Sequence, residues 1–160
     1  MRIWPLALLL TACTACGVGP SRVIDAGEPA RGFAEGTPLY FVRDDRLVFV
    51  SNLAGPLEAA EAVELLLEGP GPQERERDFV TRLPKNLAVQ VNDDGFTLGK
   101  SAPMLVGGRW LPPVTRLSRM ATGQLVCTIA AATATKRDVD MDDVRVAVPD
   151  KGQVRCKDFT

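Results

Sequence analysis

The chain has 160 residues, 46% of them hydrophobic and 24% charged, with 19 Lys plus Arg against 20 Asp plus Glu and a net charge of −1. Such a composition suits one globular domain, is too apolar for a disordered chain, and lacks the basic surplus that a nucleic-acid partner would require. Histidine is absent, which removes Ser-His-Asp and Cys-His catalysis, histidine zinc sites and the usual proton shuttle of neutral pH.

Met1 and Arg2 precede an apolar run from Ile3 to Leu10, and Leu10-Thr11-Ala12-Cys13 follows. A basic start, a short apolar segment and small residues before a cysteine read as a bacterial lipoprotein signal over residues 1–12. The run is far shorter than the roughly 20 apolar residues of a membrane-spanning helix. Cys13 is then the expected lipid attachment site and the first residue of the mature protein. Cys16 is the alternative, although Cys13 stands where its leucine should be. Palmitate-type acyl chains, at about 0.8 kcal/mol per buried methylene, would hold the protein on the outer face of the cell membrane. The plainer reading is an ordinary signal peptide with incidental thiols. Residues 13–36 are rich in Gly, Pro, Ala and charge without a sustained period, as in a tether. Residues 37–160 are expected to form one domain.

Within that domain, Leu39–Val42 and Leu47–Val50 flank the polar turn Arg43-Asp44-Asp45-Arg46, which predicts a hairpin. Pro56–Glu68 predicts a helix, stopped by Gly69-Pro70. Glu58, Glu61, Glu64 and Glu68 share one face, with Leu57, Ala60, Val63, Leu66 and Leu67 on the other. The acidic face is either solvated or a docking stripe for a basic partner. Gly69–Arg77 reads as a loop, with Phe79 and Val80 anchoring the next segment in the core. Leu87–Val91 and Phe96–Leu98 read as strands around the turn Asn92–Gly95. Ala102–Pro113 carries Gly107-Gly108 and Pro112-Pro113 and reads as irregular, with Trp110 either a core plug or an exposed anchor. A second helix is expected over Val114–Ala132, weakened by about 1 kcal/mol at Gly123 and ambiguous with strand from Val126 to Thr135. Asp143–Val148 alternates as an edge-like final strand.

Cys127 and Cys156 are the cysteines left to the folded part. In an oxidising compartment they make one possible disulfide, contributing about 2–4 kcal/mol; the alternative is two buried thiols acting as small apolar residues. Gly95-Phe96-Thr97-Leu98-Gly99-Lys100-Ser101 falls one residue short of a phosphate loop and lacks a helix after it. Asp138–Asp143 starts like a calcium loop, yet Asp143 stands at the sixth position and Pro149 at the twelfth, where glycine and glutamate belong. No pair of carboxylates stands out for glycoside cleavage. No catalytic residue, cofactor or metal ligand emerges.

Tyr40–Val48, Ala60–Leu67 leading into Glu68-Gly69-Pro70, Thr81-Arg82-Leu83-Pro84 and Gln124-Leu125-Val126-Cys127-Thr128-Ile129 occur in an order that resembles the GerMN domain of sporulation proteins and actinobacterial lipoproteins. The likeness runs from about Thr37 to Val148. Phe96-Thr97-Leu98-Gly99-Lys100 stands where the family usually has a Val-Asp-Leu-Ser type strand. The resemblance implies an α+β domain similar to ring-building modules, with a small mixed or antiparallel sheet and two helices packed on one face. It also implies a non-enzymatic scaffold that works by protein–protein contact in the envelope. The expected role is therefore a lipid-anchored extracytoplasmic interaction domain. It would meet an envelope protein through the Glu58, Glu61 and Glu64 face or through the sheet edge at Val144–Val148. A surface lipoprotein that binds a small ligand is the alternative, and it requires an apolar pocket with a few convergent polar groups. A carboxylate-based wall hydrolase is a third.

Overall fold

The structure, a computed structural model, describes residues 36–51, 55–100 and 103–160. The signal, Cys13, Cys16 and the tether up to residue 35 lie outside the described residues.

Strands β1 (Pro38–Arg43) and β2 (Arg46–Ser51) form the expected antiparallel hairpin. Its two turn residues, Asp44 and Asp45, have φ of 51° and 54°, a left-handed conformation that a short polar side chain tolerates and that suits the strand twist. Leu39–Val42 are buried, while β2 is only half covered.

Helix α1 (Ala59–Glu68) begins later than the sequence predicts. Glu58 is its N-cap, and the Glu61 carboxylate accepts from the Glu58 backbone N–H at 3.0 Å. Ala62, Val63 and Leu66 are buried; Ala60, assigned to the apolar face, is exposed. The expected loop after Gly69 contains a short helix, α2 (Pro72–Glu76), which Pro72 can open because its missing N–H has no helical partner there. Phe79 enters the core as expected. Val80 docks through its backbone instead, exchanging hydrogen bonds of 2.9 and 2.8 Å with Val42 and leaving its side chain exposed.

Strands β3 (Val89–Asn92) and β4 (Gly95–Leu98) form the second predicted hairpin. The region read as irregular contains a third, β5 (Met104–Val106) with β6 (Arg109–Leu111). Gly107 and Gly108, at φ of 57° and 78°, make the tight two-residue turn for which consecutive glycines are suited.

Helix α3 (Arg119–Arg137) starts five residues after the predicted Val114 and continues past Ala132. Ser118 sets the start: its hydroxyl accepts from the Ala121 N–H at 3.2 Å, a cap that Val114 could not provide. The ambiguous stretch is helical throughout. Asp138, at φ 52°, ends it.

Strands β7 (Val146–Val148) and β8 (Gly152–Val154) complete a four-stranded mixed sheet in the order β3-β4-β7-β8. This corrects the reading of Val144–Val148 as an edge. β7 lies between β4, which it meets in parallel at Gly95 and Ala147, and the antiparallel β8. The sequence Gly-Gln-Val of β8 carries too little apolar signal to announce a strand. A Cβ at Gly95 would run into the backbone of Ala147, so the glycine permits the two strands to meet.

The chain is α+β, and the strands among the described residues form three sheets. Every residue from Ala121 to Ala132 is buried, so α3 is apolar or internally satisfied all round, as a core helix must be. The β1–β2 hairpin, α1 and β7 pack against it. Cys127 on α3 is disulfide-bonded to Cys156, in a 3-10 turn at Cys156–Asp158, with both cysteines buried and their Cα atoms 4.6 Å apart. Among the described residues no helix is long and apolar enough to cross a membrane.

Candidate functional site

The three acids expected at a partner face have different surroundings. Glu58 is paired with Lys136 near the end of α3, whose Nζ lies 2.6 and 2.7 Å from its two carboxylate oxygens. Glu61 is turned back onto the helix start. Glu64 faces solvent, as does Glu68 one turn further on. Two of the three therefore make contacts within the domain, and the freely presented acidity lies toward the C-terminal end of α1.

The run Asp138–Asp143, which starts like a calcium loop, spans the C-cap of α3 and a short turn. Met141–Asp143 forms a 3-10 turn, with the Asp140 carboxylate accepting from the Asp142 N–H at 2.8 Å. No cluster of three or more potential metal ligands occurs among the described residues. The same loop borders Tyr40, whose hydroxyl donates to the Met141 sulfur at 3.4 Å. Burial first, and the Asp142 charge second, push the Tyr40 phenol above its ordinary value of 10.0. Gly95–Leu98, the start of the run resembling a phosphate loop, is strand β4.

An open groove of about 320 Å³ lies beside β4 and the β7–β8 turn. Phe96, Leu98, Leu117 and Val148 make its apolar wall, and Arg116, Asp150 and Lys151 supply its charges. The volume is at the small end of the roughly 300–1,000 Å³ range of ligand sites.

Another exposed feature among the described residues is the β5–β6 hairpin. Leu105 and Trp110 are cross-strand partners, 55% and 67% exposed, and Met104 is exposed beside them. Trp110 is thus the exposed anchor, not the core plug. At its base, the buried Asn86 donates through Nδ2 to the Pro112 carbonyl at 2.8 Å. Along the sequence, the charge on either side of it is one-sided. Between Asp94 and Asp138 the sequence contains no acid, but it contains Lys100, Arg109, Arg116, Arg119, Lys136 and Arg137. Arg119 donates to the Asp158 carbonyl at 2.7 Å; Lys100, Arg109 and Arg116 are exposed near or within the hairpin in sequence. A near-zero total charge conceals this block, and the long gap between acids is the signal that reveals it. Comparison with protein families, with curated proteins and with solved structures gives no match.

Proposed function

We propose that the chain is a lipid-anchored, extracytoplasmic interaction domain of the bacterial envelope that acts by contact and not by catalysis. The observation that carries this reading is the Cys127–Cys156 bridge closed inside the core, because disulfides persist in oxidising compartments and are rare in the cytosol of mesophiles. It agrees with Leu10-Thr11-Ala12-Cys13 at the end of a signal-like segment and with the resemblance to GerMN-domain lipoproteins. The lack of histidine removes the commonest nucleophile activators. Exposed Glu64 and Glu68 on α1 are the proposed contacts for a basic envelope partner, after Glu58 and Glu61 are assigned their internal roles.

Mass spectrometry of the protein recovered from membranes tests the anchor: the expected product begins at an acylated Cys13, and Cys13→Ser abolishes it. An unprocessed, unacylated amino terminus in the soluble fraction contradicts the reading. Cross-linking in cells tests the contact. Glu64→Lys with Glu68→Lys is expected to remove partner adducts, and an unchanged adduct pattern rejects α1 as the face. The groove beside Phe96 favours a second reading, a ligand-binding lipoprotein, in which Arg116 and Lys151 would meet an anionic small molecule.

A further inference from the structure

We propose that the β5–β6 hairpin is a membrane-contact element that seats Leu105 and Trp110 in the interface of an anionic lipid surface. Three of the six exposed large apolar side chains among the described residues, Met104, Leu105 and Trp110, sit in these two short strands. The hairpin is narrow, tipped by Gly107-Gly108, and held to the body through its base at Pro112. Among the side chains of Met-Leu-Val-Gly-Gly-Arg-Trp-Leu, only the Trp110 indole and Arg109 carry hydrogen-bonding groups. A lipid interface requires what is present: an amphipathic indole at headgroup depth, aliphatic chains below it, and a long arginine able to reach back to phosphate.

Charge supports the same occupant. Lys100 and Arg116 flank the hairpin in sequence, Arg109 is at its tip, and no acid interrupts the chain between Asp94 and Asp138. Two acids come near this flank from other elements: Asp150 lines the groove with Arg116, and Asp94 lines an adjoining one with Thr115. Basic residues near an anionic leaflet each contribute about a fivefold gain in partition. The inference deepens the anchored reading: the chain from Cys13 to Gly36 can extend at most about 80 Å, so an acylated Cys13 keeps the hairpin within reach of the bilayer. A second, weak contact then suffices to orient the domain, because tethering makes that contact intramolecular.

The test uses the mature protein beginning at Cys13, in which Trp110 is the one tryptophan. The protein is mixed with vesicles of phosphatidylcholine alone or with phosphatidylglycerol added, and Trp110 emission is recorded with and without brominated acyl chains. The expected result is a blue shift with strong quenching on the phosphatidylglycerol vesicles, reduced about fivefold or more by Arg109→Glu and abolished by Leu105→Asp. Circular dichroism confirms that both variants stay folded. Protein that floats with the vesicles while Trp110 remains unshifted and unquenched overturns the hairpin contact and leaves the anchor standing. Equal quenching on both vesicle types overturns the anionic preference. A blue shift that grows with protein concentration in the absence of vesicles assigns the hairpin to a second copy instead. Quenching that persists in the Cys13→Ser/Cys16→Ser protein supports the hairpin contact independently of the anchor.

Discussion

At the scale of single residues, the polar side chains of α3 complete a strand. The Thr128 hydroxyl accepts from the Tyr40 N–H at 3.0 Å, and the Gln124 amide donates to the Tyr40 carbonyl at 3.0 Å while accepting from the Arg82 N–H at 2.7 Å. Both side chains are fully buried. They occupy the backbone groups that β1 would otherwise leave unpaired. Gln124→Leu keeps the bulk but strands the buried Tyr40 carbonyl and the partly buried Arg82 N–H, a buried orphan costing about 1–3 kcal/mol. Urea unfolding should show a loss of about 2–4 kcal/mol, with Thr128→Val losing roughly half as much. Gly123 makes the opposite point about propensity. Alanine would gain about 1 kcal/mol as a helix former, but its Cβ would stand 2.8 Å from the Leu47 Cδ1 and 3.0 Å from the Phe159 Cβ. Leu47 can swing aside; a Cβ fixed to the backbone three residues from the disulfide cannot. Gly123→Ala should therefore be destabilising by about 1 kcal/mol or more in the same assay. Tyr40 adds a pH dependence. Its folded pKa is raised above 10.0 by burial and by Asp142, so its contribution is complete below pH 10 and is lost as pH rises through the folded value. Tyr40→Phe should flatten the alkaline limb of a stability–pH curve and leave its slope near neutrality unchanged.

At the scale of elements, legibility followed the strength of local signals. The first hairpin was readable because two apolar runs bracket Asp44-Asp45 at a separation that only a tight turn allows. The third was not, since Gly107-Gly108 was grouped with Pro112-Pro113 as punctuation, although Met-Leu-Val and Arg-Trp-Leu flank it. The start of α3 depended on one serine, which a periodicity count from Val114 passes over. Its full burial was invisible to an amphipathic template, because Gln124 and Thr128 look like a polar face until their partners on β1 and at Arg82 are known. Non-local pairing also hid the true place of β7. Nothing in Val144–Val148 says that Gly95, some fifty residues earlier, leaves room beside it. The pairing of Cys127 with Cys156 needed only a count. That bridge closes a loop of 29 residues, and the double substitution Cys127→Ala/Cys156→Ala should lower stability by about 2–4 kcal/mol. For a domain of this size the melting temperature should fall by roughly 10 °C, measurable by calorimetry.

At the scale of the whole molecule, charge is sorted along the chain. Acids occupy the stretches before Asp94 and after Asp138, and bases alone occupy the stretch between. A net charge of −1 therefore does not describe how the surface meets another charged body. Screening gives a direct check: the Debye length falls from about 10 Å at 0.1 M salt to 3 Å at 1 M. Trp110 quenching on phosphatidylglycerol vesicles should weaken steeply over that range. The acidic stripe of α1 is legible because its spacing is a pattern, whereas the acid-free stretch around the β5–β6 hairpin is marked only by what it lacks.

The span of the Tyr40 contacts has a further consequence. Its partners Thr128 and Gln124 lie 88 and 84 positions away along the chain, so the first strand has no core to join until the last helix has been made. A nascent polypeptide with this wiring remains unfolded through most of its synthesis, because early segments lack the later one that would hold them. Under the export proposed above, such late closure would keep the chain threadable, with the disulfide locking the result only after the tail had followed.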